Sequence, residues 1–80
     1  MKLAKLLERL EYEVVQGSDG IEIQKLVNDS RNVEKGDVFV CVSGANVDGH
    51  EFAADVSRKG AAALIVEKEV DAPKDVTVIK

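Results

Sequence analysis

Residues 29–67 read DSRNVEKGDVFVCVSGANVDGHEFAADVSRKGAAALIVE, and this stretch decides the fold. Val38, Phe39, Val40, Cys41 and Val42 form a continuous apolar run rich in β-branched residues, the pattern of a central strand covered on both faces. Glu34, Lys35, Gly36 and Asp37 before it read as a tight turn, with Gly36 free to take positive φ. After it, residues 43–47 form a loop. A helix then has clear end signals. Asp48 is a good N-cap, and Glu51 three residues later completes a capping-box pattern. Phe52, Ala53 and Val56 supply its apolar side. Arg58 and Lys59 lie in the last turn, where cations favour the helix dipole. Gly60 is the expected glycine just past the end. Ala61, Ala62, Ala63, Leu64, Ile65 and Val66 read as another buried strand. Strand, loop, helix and strand over residues 37–66 imply a right-handed parallel crossover.

Working outward, Leu3, Leu6, Leu7 and Leu10 form an amphipathic stripe, which predicts a helix over residues 2–11. Residues 16–20 are turn formers. A strand follows at about 22–28 and ends at Asn28, Asp29 and Ser30, whose side chains bond nearby backbone. Pro73 sits in a polar linker before a final strand at 76–79. The expected fold is α/β: a small three-layer domain with a mixed or parallel sheet flanked by helices. Its strands lie near 22–28, 37–42, 62–66 and 76–79, its helices near 2–11 and 49–59. All 80 residues make one domain.

Composition narrows the function. Aromatics are 4% of the chain, so the core rests on Val, Leu, Ile and Ala. The net charge is −4 and no basic patch stands out, which argues against nucleic acid. The N-terminus mixes acidic and basic residues without a signal-peptide apolar segment, and nothing is long enough to span a membrane. Cys41 is the one cysteine, so neither an internal disulfide nor a thiolate zinc cluster is available. The expected compartment is the cytoplasm, with no membrane or nucleic-acid partner. No Gly-rich run ends in Lys-Ser or Lys-Thr, and the chain stops directly after an apolar strand. Both point to the N-terminal piece of a longer protein.

Two loops carry candidate chemistry. Asp29, Ser30 and Arg31 offer an acceptor, a hydroxyl and a guanidinium at a strand end. A sugar or phosphate could use all three. The plainer account is a structural turn in which Asp29 and Ser30 cap backbone and Arg31 pairs with a surface acid. The loop before the helix, with Asn46 as an amide and backbone N–H groups at the helix start, could read a base edge or ribose. It could equally be a plain connection bent at Gly44. Asp48 and Glu51 disfavour a bare phosphate there. His50, the single histidine, has no partner at metal-ligand spacing and reads as a first-turn helix residue.

Taken together, Asp29, Ser30, Arg31, Gly36, Asp37, Phe39, Gly44, Asp48, Gly49, His50, Phe52, Gly60 and Ala61 match the order and spacing of a family pattern. The chain resembles the N-terminal domain of the Mur ligases over nearly its whole length. The resemblance implies a clamp for the UDP end of UDP-N-acetylmuramoyl-L-alanyl-D-glutamate, in an ATP-dependent ligase adding the third peptide residue of a cell-wall precursor. Residues 6–10, 26–28 and 47–50 look most like that tripeptide-forming member. The alternatives are the member that adds D-alanyl-D-alanine and a stand-alone nucleotide-sugar or protein interaction module. Carried over residue by residue, substrate contacts fall on Asn28, Ser30, Ala45, Asn46 and Val47, with Asp29, Arg31, Asp48 and His50 supporting the loops. Asn28 stands where an apolar or aromatic residue is common, and Ala45 lacks the polar side chain of some relatives. Catalytic groups, ATP and magnesium are expected in central and C-terminal domains outside these residues. No cofactor or metal, and no catalysis, are expected of this stretch. The expected partners are the UDP-muramoyl dipeptide and the rest of the parent chain.

Overall fold

The computed structural model describes residues 1–41, 49–67, 70 and 72–80, with backbone alone at 49 and 50. Its elements are α1 (Leu3–Leu7), β1 (Val14–Gln16), β2 (Leu26–Val27), β3 (Val38–Val40), α2 (Ala53–Arg58), β4 (Ala63–Ile65) and β5 (Thr77–Ile79). Short 3-10 turns lie at Ser30–Asn32 and Gly49–Phe52. The strands form one mixed sheet in the order β1-β5-β4-β3-β2. Strands β2 to β5 are mutually parallel, and β1 pairs antiparallel with β5. The mixed α/β architecture agrees with the sequence expectation.

Alternation along each strand divides the core. Val27, Phe39, Leu64 and Val78 stand in register across four strands. They pack with Val33, Val56, Val66 and Val76. Those four belong to the three connections between successive parallel strands, so every crossover lies on one face. On the other face Val38, Ala63 and Ile79 meet Leu3 and Leu7 of α1. Helix α1, the sheet and the crossover layer are the three layers. Phe39 and Leu64 are buried from water almost completely, each contributing about 1.5–3 kcal/mol of transfer free energy.

The parallel strands run in one direction across the sheet, from β2 to β5, without reversal. There is thus no topological switch point of the kind that opens a crevice in doubly wound sheets. The strand ends themselves must supply any site.

Several boundaries differ from expectation. Helix α1 ends at Leu7 rather than residue 11, and Leu10 is 62% exposed. No side chain caps its start. The N–H groups of Leu3 and Ala4 instead donate to the carbonyls of Ile21 (2.9 Å) and Asp19 (2.7 Å). Tertiary backbone contacts thus satisfy the orphan donors. The strand expected at 22–28 shrinks to Leu26–Val27, because its length is shared between two partners. Glu22 bridges to Lys2, while the Gln24 N–H donates to the Gly36 carbonyl at 2.8 Å. Strand β3 covers Val38–Val40 of the expected 37–42, and Val42 lies outside the described residues. β1 is an element the sequence reading did not identify.

The predicted helix at 49–59 is a 3-10 turn, Gly49–Phe52, followed by α2. Phe52 takes φ −90° and ψ 0°, which breaks continuity between them. Asp48, the expected N-cap, lies outside the described residues. The far end follows the prediction. Gly60 has φ +99°, its N–H donates to Ser57 (3.1 Å), and the Ala61 N–H donates to Val56 (3.0 Å). This is the Schellman pairing, which satisfies the last carbonyls of the helix.

Candidate functional site

Neighbouring β2 and β3 are parallel and in register, Val27 opposite Phe39. Asn28 and Cys41 therefore leave the sheet at the same edge, and the two loops singled out in the sequence start side by side. Ala45, Asn46, Val47 and Asp48 lie outside the described residues, and of His50 only the backbone is described. The described residues give the geometry of the first loop.

Asn28 is exposed just past β2. Asp29, extended at φ −120° and ψ 117°, caps the 3-10 turn, its side chain accepting from the Arg31 N–H at 2.9 Å. The Arg31 guanidinium turns back on the same carboxylate, Nε to Oδ1 at 3.1 Å and Nη2 to Oδ2 at 2.8 Å. This fork, together with the backbone N–H, holds the Asp29 carboxyl down at about 2. The structural account of these two residues is thus met, although the acid Arg31 finds is its own neighbour. Ser30 is half-buried, and its hydroxyl has no hydrogen bond among the described residues. Its carbonyl accepts from Lys59 Nζ at 2.8 Å. The sequence reading saw Lys59 only as a cation at a helix end; nothing in the sequence pairs it with Ser30, 29 positions away.

A six-residue α2 preceded by a 3-10 turn changes the reading of the second loop. The α-helix begins only at Ala53, after the 3-10 turn Gly49–Phe52, so an anion held by a helix dipole loses its basis at residue 49.

The opposite end of the parallel strands is pinned. Asp37 is fully buried, with Oδ2 accepting from Lys25 Nζ and from the Glu34 N–H, each at 2.8 Å. Burial pushes its carboxyl up, but the Lys25 ammonium and the N–H outweigh that and leave it below the usual range. Asp37 Oδ1 has no hydrogen-bond partner among the described residues. Nearby, a surface hollow of about 540 Å³ is lined by Lys35, Ser57, Arg58, Lys59, Gly60 and Asp75, among others. Arg58 pairs with Asp55 and Lys59 donates to the Ser30 carbonyl, and the N–H groups of Gly36, Gly60, Ala61 and Ala62 are already bonded to protein carbonyls. Those four N–H groups are therefore not free to hold an anion.

The pattern of the family described as "Mur ligase family, catalytic domain" matches residues 22–79. The chain belongs to the Mur ligase family. Its five-stranded sheet is the α/β architecture of that family's N-terminal domain. The description names a catalytic domain, yet the 80 residues contain no phosphate loop. Among curated proteins, the UDP-N-acetylmuramoyl-L-alanyl-D-glutamate--2,6-diaminopimelate ligase of Clostridium perfringens is 46% identical over 80 residues, 100% of this chain and 16% of its own. The same-named Bacillus velezensis ligase is 44% identical over 81 residues, with the same coverage. This Mur ligase chain thus spans about one-sixth of the length of the curated relatives it matches. Among solved structures, the UDP-N-acetylmuramoylalanyl-D-glutamyl-2,6-diaminopimelate--D-alanyl-D-alanyl ligase of Acinetobacter baumannii has a TM-score of 0.62 and 36% identity, covering 70% of this chain and 12% of that one. The MurF ligase of Thermotoga maritima in complex with ADP has a TM-score of 0.60 and 38% identity, covering 66% and 12%.

Proposed function

We propose that this chain is the substrate-clamping N-terminal domain of an ATP-dependent ligase of the cytoplasm. That ligase adds the third peptide residue to UDP-N-acetylmuramoyl-L-alanyl-D-glutamate in peptidoglycan precursor synthesis. The observation that carries the reading is the identity of 46% along the whole chain with a ligase named for that dipeptide and 2,6-diaminopimelate. The same name favours 2,6-diaminopimelate as the incoming amine. Structural likeness to D-alanyl-D-alanyl ligases favours the second reading, the neighbouring step, but extends over 70% of the chain.

The domain's part is to hold the uridine end of the substrate. Ser30 supplies an uncommitted hydroxyl, and residues 45–47 follow the neighbouring strand β3 in the sequence. Asn28, exposed at the same edge, lies within the same surface. Holding the nucleotide fixes the far end of the molecule, so that remote binding energy orients the carboxylate that reacts elsewhere. ATP and magnesium belong to other parts of the parent enzyme. Among the described residues no group of three or more His, Cys, Asp or Glu could hold a metal ion, and the sequence has no phosphate loop. No catalytic step is assigned to these residues. Among the described residues no helix is long and apolar enough to cross a membrane.

The test is calorimetric titration of the full-length enzyme, wild type and Ser30→Ala, with the UDP-muramoyl dipeptide. One hydrogen bond to a neutral group is worth roughly 0.5–1.5 kcal/mol, so affinity should fall about three- to tenfold. Equal affinities would remove Ser30 from the site. Failure of the wild-type enzyme to bind the dipeptide, with binding of the tripeptide instead, would move the assignment to the D-alanyl-D-alanine step.

A further inference from the structure

We propose that Lys59 is a positioning residue for the turn that carries Ser30; the proposal rests on the reading of that turn as part of the UDP site. The peptide unit between Ser30 and Arg31 is held by side chains at both of its polar groups. Its carbonyl accepts from Lys59 Nζ at 2.8 Å, and its N–H donates to Asp29 Oδ1 at 2.9 Å. Fixing that plane fixes ψ of Ser30, and backbone angles select which side-chain rotamers are open. Direction of the Ser30 hydroxyl is therefore set from two sides.

The two anchors differ in reach. Asp29 is local and acts within the turn. Lys59 ties the turn to the C-terminal end of α2, on the crossover from β3 to β4. Its own backbone is fixed: the Lys59 N–H donates to the carbonyls of Asp55 and Val56, both at 3.1 Å. Gly60 follows in the left-handed region at φ +99°, with a would-be Cβ only 3.1 Å from Lys35 Cα. An anchored base thus carries a flexible stem whose tip has one acceptor among the described residues, the Ser30 carbonyl. A plain role for Lys59, neutralising the helix end, predicts no effect on substrate affinity.

The experiment is a cycle in the full-length enzyme: Lys59→Met, Lys59→Arg, Ser30→Ala, and Lys59→Met with Ser30→Ala. Methionine keeps the stem and removes the donor. Dissociation constants for the UDP-muramoyl dipeptide and KM for ATP are read for each. The expected result is about a two- to fivefold loss of dipeptide affinity in Lys59→Met, modest because the contact is solvent-exposed. KM for ATP stays at its wild-type value, and Lys59→Arg recovers dipeptide affinity to within about twofold, since its guanidinium can donate to the same carbonyl. In the Ser30→Ala background Lys59→Met has no further effect, because it acts through that hydroxyl. Wild-type affinity in Lys59→Met beside a weakened Ser30→Ala would overturn the positioning role and leave the site standing. Wild-type affinity in both single variants would overturn the site and the positioning role together. An equal loss from Lys59→Met in both backgrounds would overturn action through Ser30.

Discussion

The two ends of the parallel strands in this Mur ligase domain are built differently. At the end where the strands begin, backbone and side chains are cross-bonded. The Gly36 N–H donates to the Gly60 carbonyl at 2.9 Å, and the Ala62 N–H donates to the Asp37 carbonyl at 2.8 Å. Asp37 is buried between Lys25 and the Glu34 N–H. At the end where they finish, the Cys41 N–H still donates to the Ile65 carbonyl and the Val66 N–H to the Ile79 carbonyl, both at 2.8 Å. But Asn28 past β2 is exposed, the Ser30 hydroxyl is uncommitted among the described residues, and the polar contacts of that turn stay within it or reach Lys59. Packing and pairing hold the first end in register. The second end is where the proposed ligand site lies, beside the uncommitted Ser30 hydroxyl. The division parallels the usual contrast between a rigid scaffold and the loops that carry function.

The comparison breaks most visibly at Asp37. Asp37→Ala leaves the Glu34 N–H without its acceptor and Lys25 with only the exposed Glu34. We expect a loss of about 2–3 kcal/mol, read by urea denaturation of the full-length enzyme or of this domain if it folds alone. A loss below about 0.5 kcal/mol would show that the beginning end is not pinned by this group. The Asp37 carboxyl sits below its unfolded value, so its contribution is complete above the ordinary aspartate range near 4. It fades as pH falls through the folded value. Gly60→Ala comes next, at about 1–2 kcal/mol, because an L side chain is strained at φ +99° and its Cβ would crowd Lys35. An unchanged midpoint would contradict that. Ser30→Ala is the converse at the other end: stability within about 0.5 kcal/mol of wild type while dipeptide affinity falls severalfold. A large stability loss there would dissolve the contrast between the ends.

The smallest effect concerns Asp29. Arg31 holds its carboxyl at about 2 against an ordinary 3.8. Its folded value lies below the unfolded one, so its contribution is present above about pH 4 and is lost as pH falls toward about 2. Carboxyl NMR should show the low titration in wild type and a return toward the ordinary value in Arg31→Ala. An ordinary value in wild type would mean that the fork does not hold the turn in solution.

Much of this was legible along the chain. The apolar run at 38–42 was read as a central strand, and Val38 and Phe39 are buried inside the sheet. Gly36 and Gly60 were read as positive-φ positions and are. Asp29 and Ser30 were placed at a strand end, where the 3-10 turn begins. These are local properties: a run of branched side chains, a missing Cβ and a short polar side chain act on their own backbone whatever lies beyond. The family also followed from the order and spacing of motif residues. By contrast β1 was illegible, because Val14 and Val15 remain 38% and 52% exposed. The strand is held by backbone pairing with β5 and by Gln16 Nε2, which donates to the carbonyls of Pro73 (2.6 Å) and Val76 (2.7 Å). No hydrophobic pattern reports such a strand. The early stop of α1, the sharing of residues 22–27 between two partners, the buried Asp37 and the reach of Lys59 to Ser30 were decided by tertiary structure alone. Each depends on what lies across space from a residue, and a pattern along one chain carries only what lies beside it.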